Sequence, residues 1–214
     1  MRRQVLAVPG TVTSRPLHLA EVDRLDPGVG EIVIDIAACG VCRTDLQIVE
    51  GDLSARTLPL VPGHQAVGRV AAIGAGVDRW ALGDRVGVAW LAGACGSCEY
   101  CTSGRENLCA DAVFAGWSSD GGYADQMAVR ADYAVPVPAG FSDIEAAPLL
   151  CGGIIGYRAL KVSGIQPGGR LGLYGFGASA LLAMQVARYW GCDVFVATRS
   201  PVEQERAIEM GAAW

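Results

Sequence analysis

Lysine is almost missing from this sequence: Lys161 stands alone beside sixteen arginines, and histidine occurs only as His18 and His64. The arginines form no cluster, so their excess over lysine reads as GC-rich coding. Net charge is −5 and charged residues make up only 18% of the 214 residues. A chain without a basic patch is not built to bind nucleic acid or an anionic membrane surface. Long apolar runs are missing too. The longest uncharged stretch, residues 171–187, has 17 residues, short of the roughly 20 needed to cross a bilayer. The apolar run at the start is broken by Pro9, too early for a secretory signal. The expectation is a cytoplasmic protein.

What is present is half hydrophobic, 51%, and rich in turns, with 29 glycines. Such a chain can bury one large core or two small ones. Residues 1–150 read as β-rich. Strands are predicted over 31–36, 66–73 and 85–90, punctuated by Pro27-Gly28, Gly51-Asp52, Pro62-Gly63 and Gly83-Asp84. A short helix is predicted over 43–50. From about residue 140 the character changes. Ser142-Asp143-Ile144-Glu145 is a capping box, followed by a helix over 151–162. Strand 170–174, helix 178–190, strand 193–198 and helix 202–210 then form a β-α-β-α series, the pattern of a parallel sheet.

Eight cysteines need an explanation in a compartment where disulfides are rare. Four fall within fifteen residues as Cys95-x2-Cys98-x2-Cys101-x7-Cys109. Four thiolates on a tight loop fit one tetrahedral zinc, and a closed shell of sulfur makes that zinc structural. An iron–sulfur cluster and plain unmetallated thiols are the competing readings. The bacterial iron–sulfur run closes with x3 and a proline, whereas here the gap is seven and Ala110 follows, and unmetallated thiols would make this spacing a coincidence. Three more candidate ligands are dispersed: Cys42 in Cys39-Gly40-Val41-Cys42-Arg43-Thr44-Asp45, His64 in Pro62-Gly63-His64-Gln65, and Cys151 in Pro148-Leu149-Leu150-Cys151-Gly152-Gly153.

On these residues the sequence resembles the zinc-dependent medium-chain alcohol dehydrogenases over nearly its whole length. The resemblance implies an α/β protein. A GroES-like catalytic domain would span 1–150, and the N-terminal part of a Rossmann cofactor domain 151–214. It implies Cys42, His64 and Cys151 as ligands of a catalytic zinc, and Cys95, Cys98, Cys101 and Cys109 as ligands of a structural one. Thr44 matches a hydroxyl that takes the alcohol proton, and Asp45 a carboxylate that orients the ligating imidazole. Arg43 is placed to meet a cofactor pyrophosphate or is a plain surface arginine. Cys39 is a packed thiol. Trp90 and Leu91 line a substrate pocket or belong to the core. The chain departs from the family at two places. Gln65 stands where a glutamate commonly follows the ligand histidine, and Gln47 where a histidine often ends the proton relay. Both imply weaker base assistance or a bias towards aldehyde reduction.

Gly175-x-Gly177-x-x-Ala180 follows a strand and opens a helix, so the turn with Ala178 and Ser179 can hold a pyrophosphate at a helix N-terminus. The next strand ends in Thr198-Arg199-Ser200, without the acid that would pair with an NAD ribose. A guanidinium and two hydroxyls suit a 2′-phosphate, so NADP is expected over NAD. The chain stops at Trp214, where a third parallel strand is expected, which reads as a fragment inactive and aggregation-prone by itself. The functions in view are alcohol–carbonyl interconversion, a related zinc reductase for sugar or polyol carbonyls, and a non-catalytic zinc module. A homodimer or homotetramer is implied for the full-length protein.

Overall fold

Apolar residues alternate along Glu31–Cys39, and this stretch becomes the longest strand of the computed structural model, which describes residues 1–214. The residues separate into two units, Met1–Leu150 and Cys151–Trp214. In the first, β1 (Arg2–Leu6) and β2 (Leu17–Glu21) form a hairpin, followed by β3 (Glu31–Cys39) and α1 (Arg43–Glu50). Then come β4 (Ala66–Ile73), β5 (Arg85–Val88), β6 (Leu91–Gly93), α2 (Glu99–Thr102), β7 (Val113–Phe114), β8 (Gln126–Arg130), β9 (Ala134–Pro136) and α3 (Asp143–Ala146).

Five strands make one antiparallel sheet in the order β8-β3-β4-β5-β9. Its inner face buries Ile32, Ile34, Val70, Val86, Val88, Met127 and Val129. Burying each such side chain contributes roughly 1.5–3 kcal/mol, which makes this the main apolar cluster of the unit. Register between β3 and β4 shifts at Val33/Ile34 and again at Ile36/Ala38. Bulges of this kind increase local twist and redirect side chains, here just before the loop that carries Cys42. Gly68 makes the pairing possible: a Cβ there would lie 2.2 Å from the Asp35 carbonyl oxygen.

The second unit comprises α4 (Gly152–Ser163), β10 (Arg170–Tyr174), α5 (Ala178–Tyr189), β11 (Asp193–Ala197) and α6 (Pro201–Glu209). β10 and β11 pair in parallel, in register Arg170↔Asp193 to Tyr174↔Ala197, with α5 as the crossover. Leu160, Leu171, Met184, Ala187, Val194 and Ala207 form its core. Helices α4 and α5 approach closely because of Gly156, where a Cβ would meet the Ser179 carbonyl oxygen at 2.6 Å. Ala213 and Trp214 hydrogen-bond to β11, through Val194 and Val196.

Several boundaries differ from expectation, three of them for a local reason. The strand predicted over 85–90 ends at Val88, and a separate β6 starts at Leu91. Trp90, between them, carries its ring to His64 instead of continuing the pleat. Cys151 is the N-cap of α4 and not its first turn. Thr198 leaves the β11 ladder, and α6 begins at Pro201 behind an N-cap at Ser200, the first-turn position that proline favours. No helix is long and apolar enough to cross a membrane.

Gly68→Ala should destabilise the protein by about 2 kcal/mol or more, because the new methyl meets backbone and not a movable side chain. Urea unfolding measures this; a loss below ~0.5 kcal/mol, the range of neutral surface changes, would contradict the packing described for β3 and β4.

Candidate metal and cofactor sites

Cys42 is the N-cap of α1. Its sulfur accepts from the Thr44 amide at 3.3 Å, and its own amide donates to Asp45 Oδ2 at 2.8 Å. The other carboxylate oxygen of Asp45 accepts from His64 Nδ1 at 3.0 Å. That bond fixes the imidazole orientation and leaves Nε2 facing Cys42 Sγ at 3.3 Å. Asp45 is 2% exposed and His64 1%. Burial by itself would lower the His64 pKa; hydrogen bonds to Asp45 and Cys42 and the Asp45 charge outweigh it and lift it to about 9. A ring nitrogen and a sulfur held this close form half of a tetrahedral cation site of the zinc type.

The loop that delivers His64 is held by glycine. Gly63 has φ +101, and a Cβ there would lie 2.6 Å from the Tyr123 ring. The Tyr123 hydroxyl donates to the Gly40 carbonyl at 3.5 Å, and burial, with the Asp45 charge nearby, drives its phenol pKa far up, so it stays neutral. The Trp90 ring stands edge-on to His64 with centroids 5.0 Å apart. It stacks on Phe114 and Trp117, and Arg56 lies 4.5 Å above the Trp117 ring. Leu91 behaves differently from its neighbour and packs with Ala94, Cys109 and Ala112 beneath the cysteine loop. Cys39, beside the site, has its thiol pushed up to about 12 by burial.

Gln65 is buried, at 3% exposure, and its Nε2 has no hydrogen-bond partner. Gly40 leaves room for that side chain, since a Cβ there would be 3.0 Å from Gln65 Oε1. Thr44 is half-buried and Arg43 exposed, both in the first turn of α1; Gln47 follows one turn on, half-buried.

In the second cluster, the ligand atoms of Cys95, Cys98, Cys101 and Cys109 all lie within 4.8 Å of one another. Cys95 and Cys101 sulfurs are 3.8 Å apart and those of Cys98 and Cys101 3.6 Å. Sulfurs at about 2.3 Å from a common tetrahedral centre stand about 3.8 Å apart, so the spacing fits zinc. None of the eight cysteines is in a disulfide. Amide donors from Ser97 and Cys98 lower the Cys95 thiol to about 6, whereas burial pushes Cys101 up to about 12. Arg130 Nη1, donating to the Ala94 carbonyl at 2.9 Å, anchors the base of the loop.

In the second unit, Gly175 adopts φ +83 and Gly177 is the N-cap of α5, with Ala178, Ser179 and Ala180 in its first turn. The Gly175 amide donates to the Ala197 carbonyl at 2.8 Å and ties the glycine turn to the end of β11. Between them lies a cleft of about 530 Å³ lined by Gly175, Ala197, Thr198, Arg199, Ser200 and Glu203. The structure thus brings Thr198, Arg199 and Ser200 together around one opening. It adds Glu203, which the strand-end reading overlooked. Ser200-Pro201-Val202-Glu203 has the spacing of a helix start, and that was the available signal. Tyr123 carried none, because only the fold brings it beside Asp45.

Residues 28–139 match the alcohol dehydrogenase GroES-like domain, about half of the chain. The chain belongs to the medium-chain alcohol dehydrogenase family. It is 46% identical over 210 residues to a probable alcohol dehydrogenase AdhA of Mycobacterium tuberculosis, covering 96% of this chain and 61% of that one. The solved structure of CAD from Helicobacter pylori, complexed with NADP(H), superposes with a TM-score of 0.87 at 28% identity, covering 99% of this chain and 64% of that one. Acetophenone reductase from Geotrichum candidum, in complex with NAD, gives 0.86 at 28%, covering 99% and 62%. The chain therefore spans about three-fifths of the length of these relatives.

In the absence of metal, the chain should be sensitive to pH through His64. Its folded pKa of about 9 lies above the ordinary 6.5. The stability it contributes is therefore full below pH 6.5 and lost as pH rises through 9. Asp45→Asn should remove most of that slope in a denaturant titration and weaken zinc binding by about tenfold to a hundredfold. An unchanged slope together with unchanged zinc affinity would show that Asp45 does not govern His64.

Proposed function

We propose that the full-length protein interconverts an alcohol and its aldehyde or ketone by hydride exchange with NADP(H), at a zinc held by Cys42, His64 and Cys151. The observation that carries this reading is the Asp45–His64–Cys42 arrangement, which presents a nitrogen and a sulfur towards one point. Cys151 is the third metal-capable side chain of that set, and a Cys2His set leaves a fourth position for substrate. The zinc supplies Lewis acidity that lowers the pKa of a substrate hydroxyl or polarises a carbonyl.

The chain's own residues supply the rest. Asp45 keeps the imidazole from rotating, and Thr44, half-buried one residue earlier, offers Oγ1 to accept and pass on the hydroxyl proton. With Gln47 unable to take that proton as a histidine would, it leaves to a ribose hydroxyl or water, which favours carbonyl reduction near neutral pH. Trp90 narrows the space beside His64 and favours small or unbranched substrates. Arg43 offers a guanidinium to the cofactor pyrophosphate, and Cys95, Cys98, Cys101 and Cys109 hold a second, structural zinc. The second unit contributes the first β-α-β portion of a Rossmann fold, and dimers or tetramers form through the cofactor domain. A cytoplasmic location agrees with eight cysteines of which none is in a disulfide. The preference for NADP over NAD rests on the Arg199 guanidinium in the cleft at the end of β11, which Thr198 and Ser200 also line.

Deuterium transfer tests the reaction. With zinc, NADP+ and an α-deuterated primary alcohol, the full-length protein should form deuterated NADPH, and Cys42→Ser should abolish this. Absence of transfer at any substrate chain length would contradict the proposed function.

Arg199→Ala tests the cofactor reading separately. It should weaken binding of 2′,5′-ADP about tenfold to a hundredfold, the worth of a charge-assisted hydrogen bond, and leave 5′-AMP within about twofold. Equal losses for both nucleotides would contradict a 2′-phosphate site.

A further inference from the structure

The cleft at the end of β11 contains a carboxylate that works against the phosphate its Arg199 guanidinium suits. Glu203 lines the same opening as Arg199, Thr198 and Ser200. It stands in the first turn of α6, behind the Ser200 N-cap, whose Oγ accepts from the Glu203 amide at 3.4 Å. Thr198 Oγ1 donates to Glu203 Oε2 at 2.5 Å. A threonine hydroxyl has one proton to give, so Thr198 can only accept from a ligand while that bond stands. Gln204 Nε2 donates to the Thr198 carbonyl at 2.7 Å and holds the turn in this arrangement.

An acceptor-only Thr198 beside a carboxylate suits a ligand that donates, which a free ribose 2′-hydroxyl does and a phosphate dianion does not. A 2′-phosphate carries nearly two negative charges at neutral pH. Repulsion from a carboxylate in the same cleft then offsets part of what Arg199 contributes. We propose that Glu203 is a specificity-determining residue of this cleft, opposing the 2′-phosphate and accepting from the free 2′-hydroxyl, so that the cleft takes both phosphorylated and unphosphorylated adenosine ribose. This rests on the cofactor reading above, and Glu203 acts on the ratio between the two ligands more than on either alone.

Calorimetric titration of the protein with 2′,5′-ADP and with 5′-AMP tests it. Glu203→Gln should raise the affinity ratio in favour of 2′,5′-ADP by about fivefold to tenfold, as removal of one like charge at close range does. Glu203→Ser should move the ratio the same way, and its small side chain remains compatible with a helix first turn if glutamine disturbs folding; melting temperatures check both. An unchanged or falling ratio in folded Glu203→Gln and Glu203→Ser would overturn the proposal. If Arg199→Ala lowers 2′,5′-ADP binding while these variants leave the ratio unchanged, only the role of Glu203 fails. If Arg199→Ala spares 2′,5′-ADP, the cofactor reading itself fails.

Discussion

Asp45 and His64 face each other at 3.0 Å almost without access to solvent. A buried polar pair of this kind destabilises a fold unless its protons and lone pairs are matched. Here both Asp45 carboxylate oxygens are engaged, one by the imidazole and one by the Cys42 amide. Much of the first unit serves that match. Bulges in β3 aim its end towards the Cys42 loop, and α1 starts on Cys42 so that Asp45 falls in its first turn. Gly63 bends the chain where any side chain would strike Tyr123. The chemistry at Cys42 and His64 therefore depends on packing several residues away.

The two cysteine-containing sites divide the work by their degree of closure. The lobe of four cysteines offers sulfur on every side, and its loop is fixed at the base by Arg130 and by the small core of Leu91, Ala94, Cys109 and Ala112. The Cys42–His64 site mixes one nitrogen with sulfur and lies beneath an aromatic wall of Trp90, Phe114 and Trp117. Closed sulfur shells stabilise a loop, whereas an open mixed set leaves room for substrate.

Much of this was legible because it is local. Cysteine spacing encodes the lobe, and the Gly175–Ala180 turn and the capping box at Ser142 depend on neighbours within a few residues. Helix 43–50 and strand 170–174 were placed to the residue for the same reason. What escaped is long-range. Tyr123 reaches Asp45 from 78 positions away, and nothing near it in sequence marks that role. Trp90 and Leu91 looked equivalent, yet one faces His64 and the other packs under the lobe. Glu203 was hidden by a rule that looks for an acid at the strand end, while this chain supplies one from the next helix.

The account stands or falls on whether the Cys42–His64 pair is a metal site distinct from the cysteine lobe. Zinc analysis combined with X-ray absorption on the full-length protein measures this directly. The account predicts two zincs per chain, with a sulfur shell at about 2.3 Å and a smaller nitrogen shell at about 2.0–2.1 Å. A Cys42→Ser/His64→Ala double variant should fall to one zinc surrounded by sulfur alone. One zinc per chain with an all-sulfur shell, unaltered in the double variant, would contradict it.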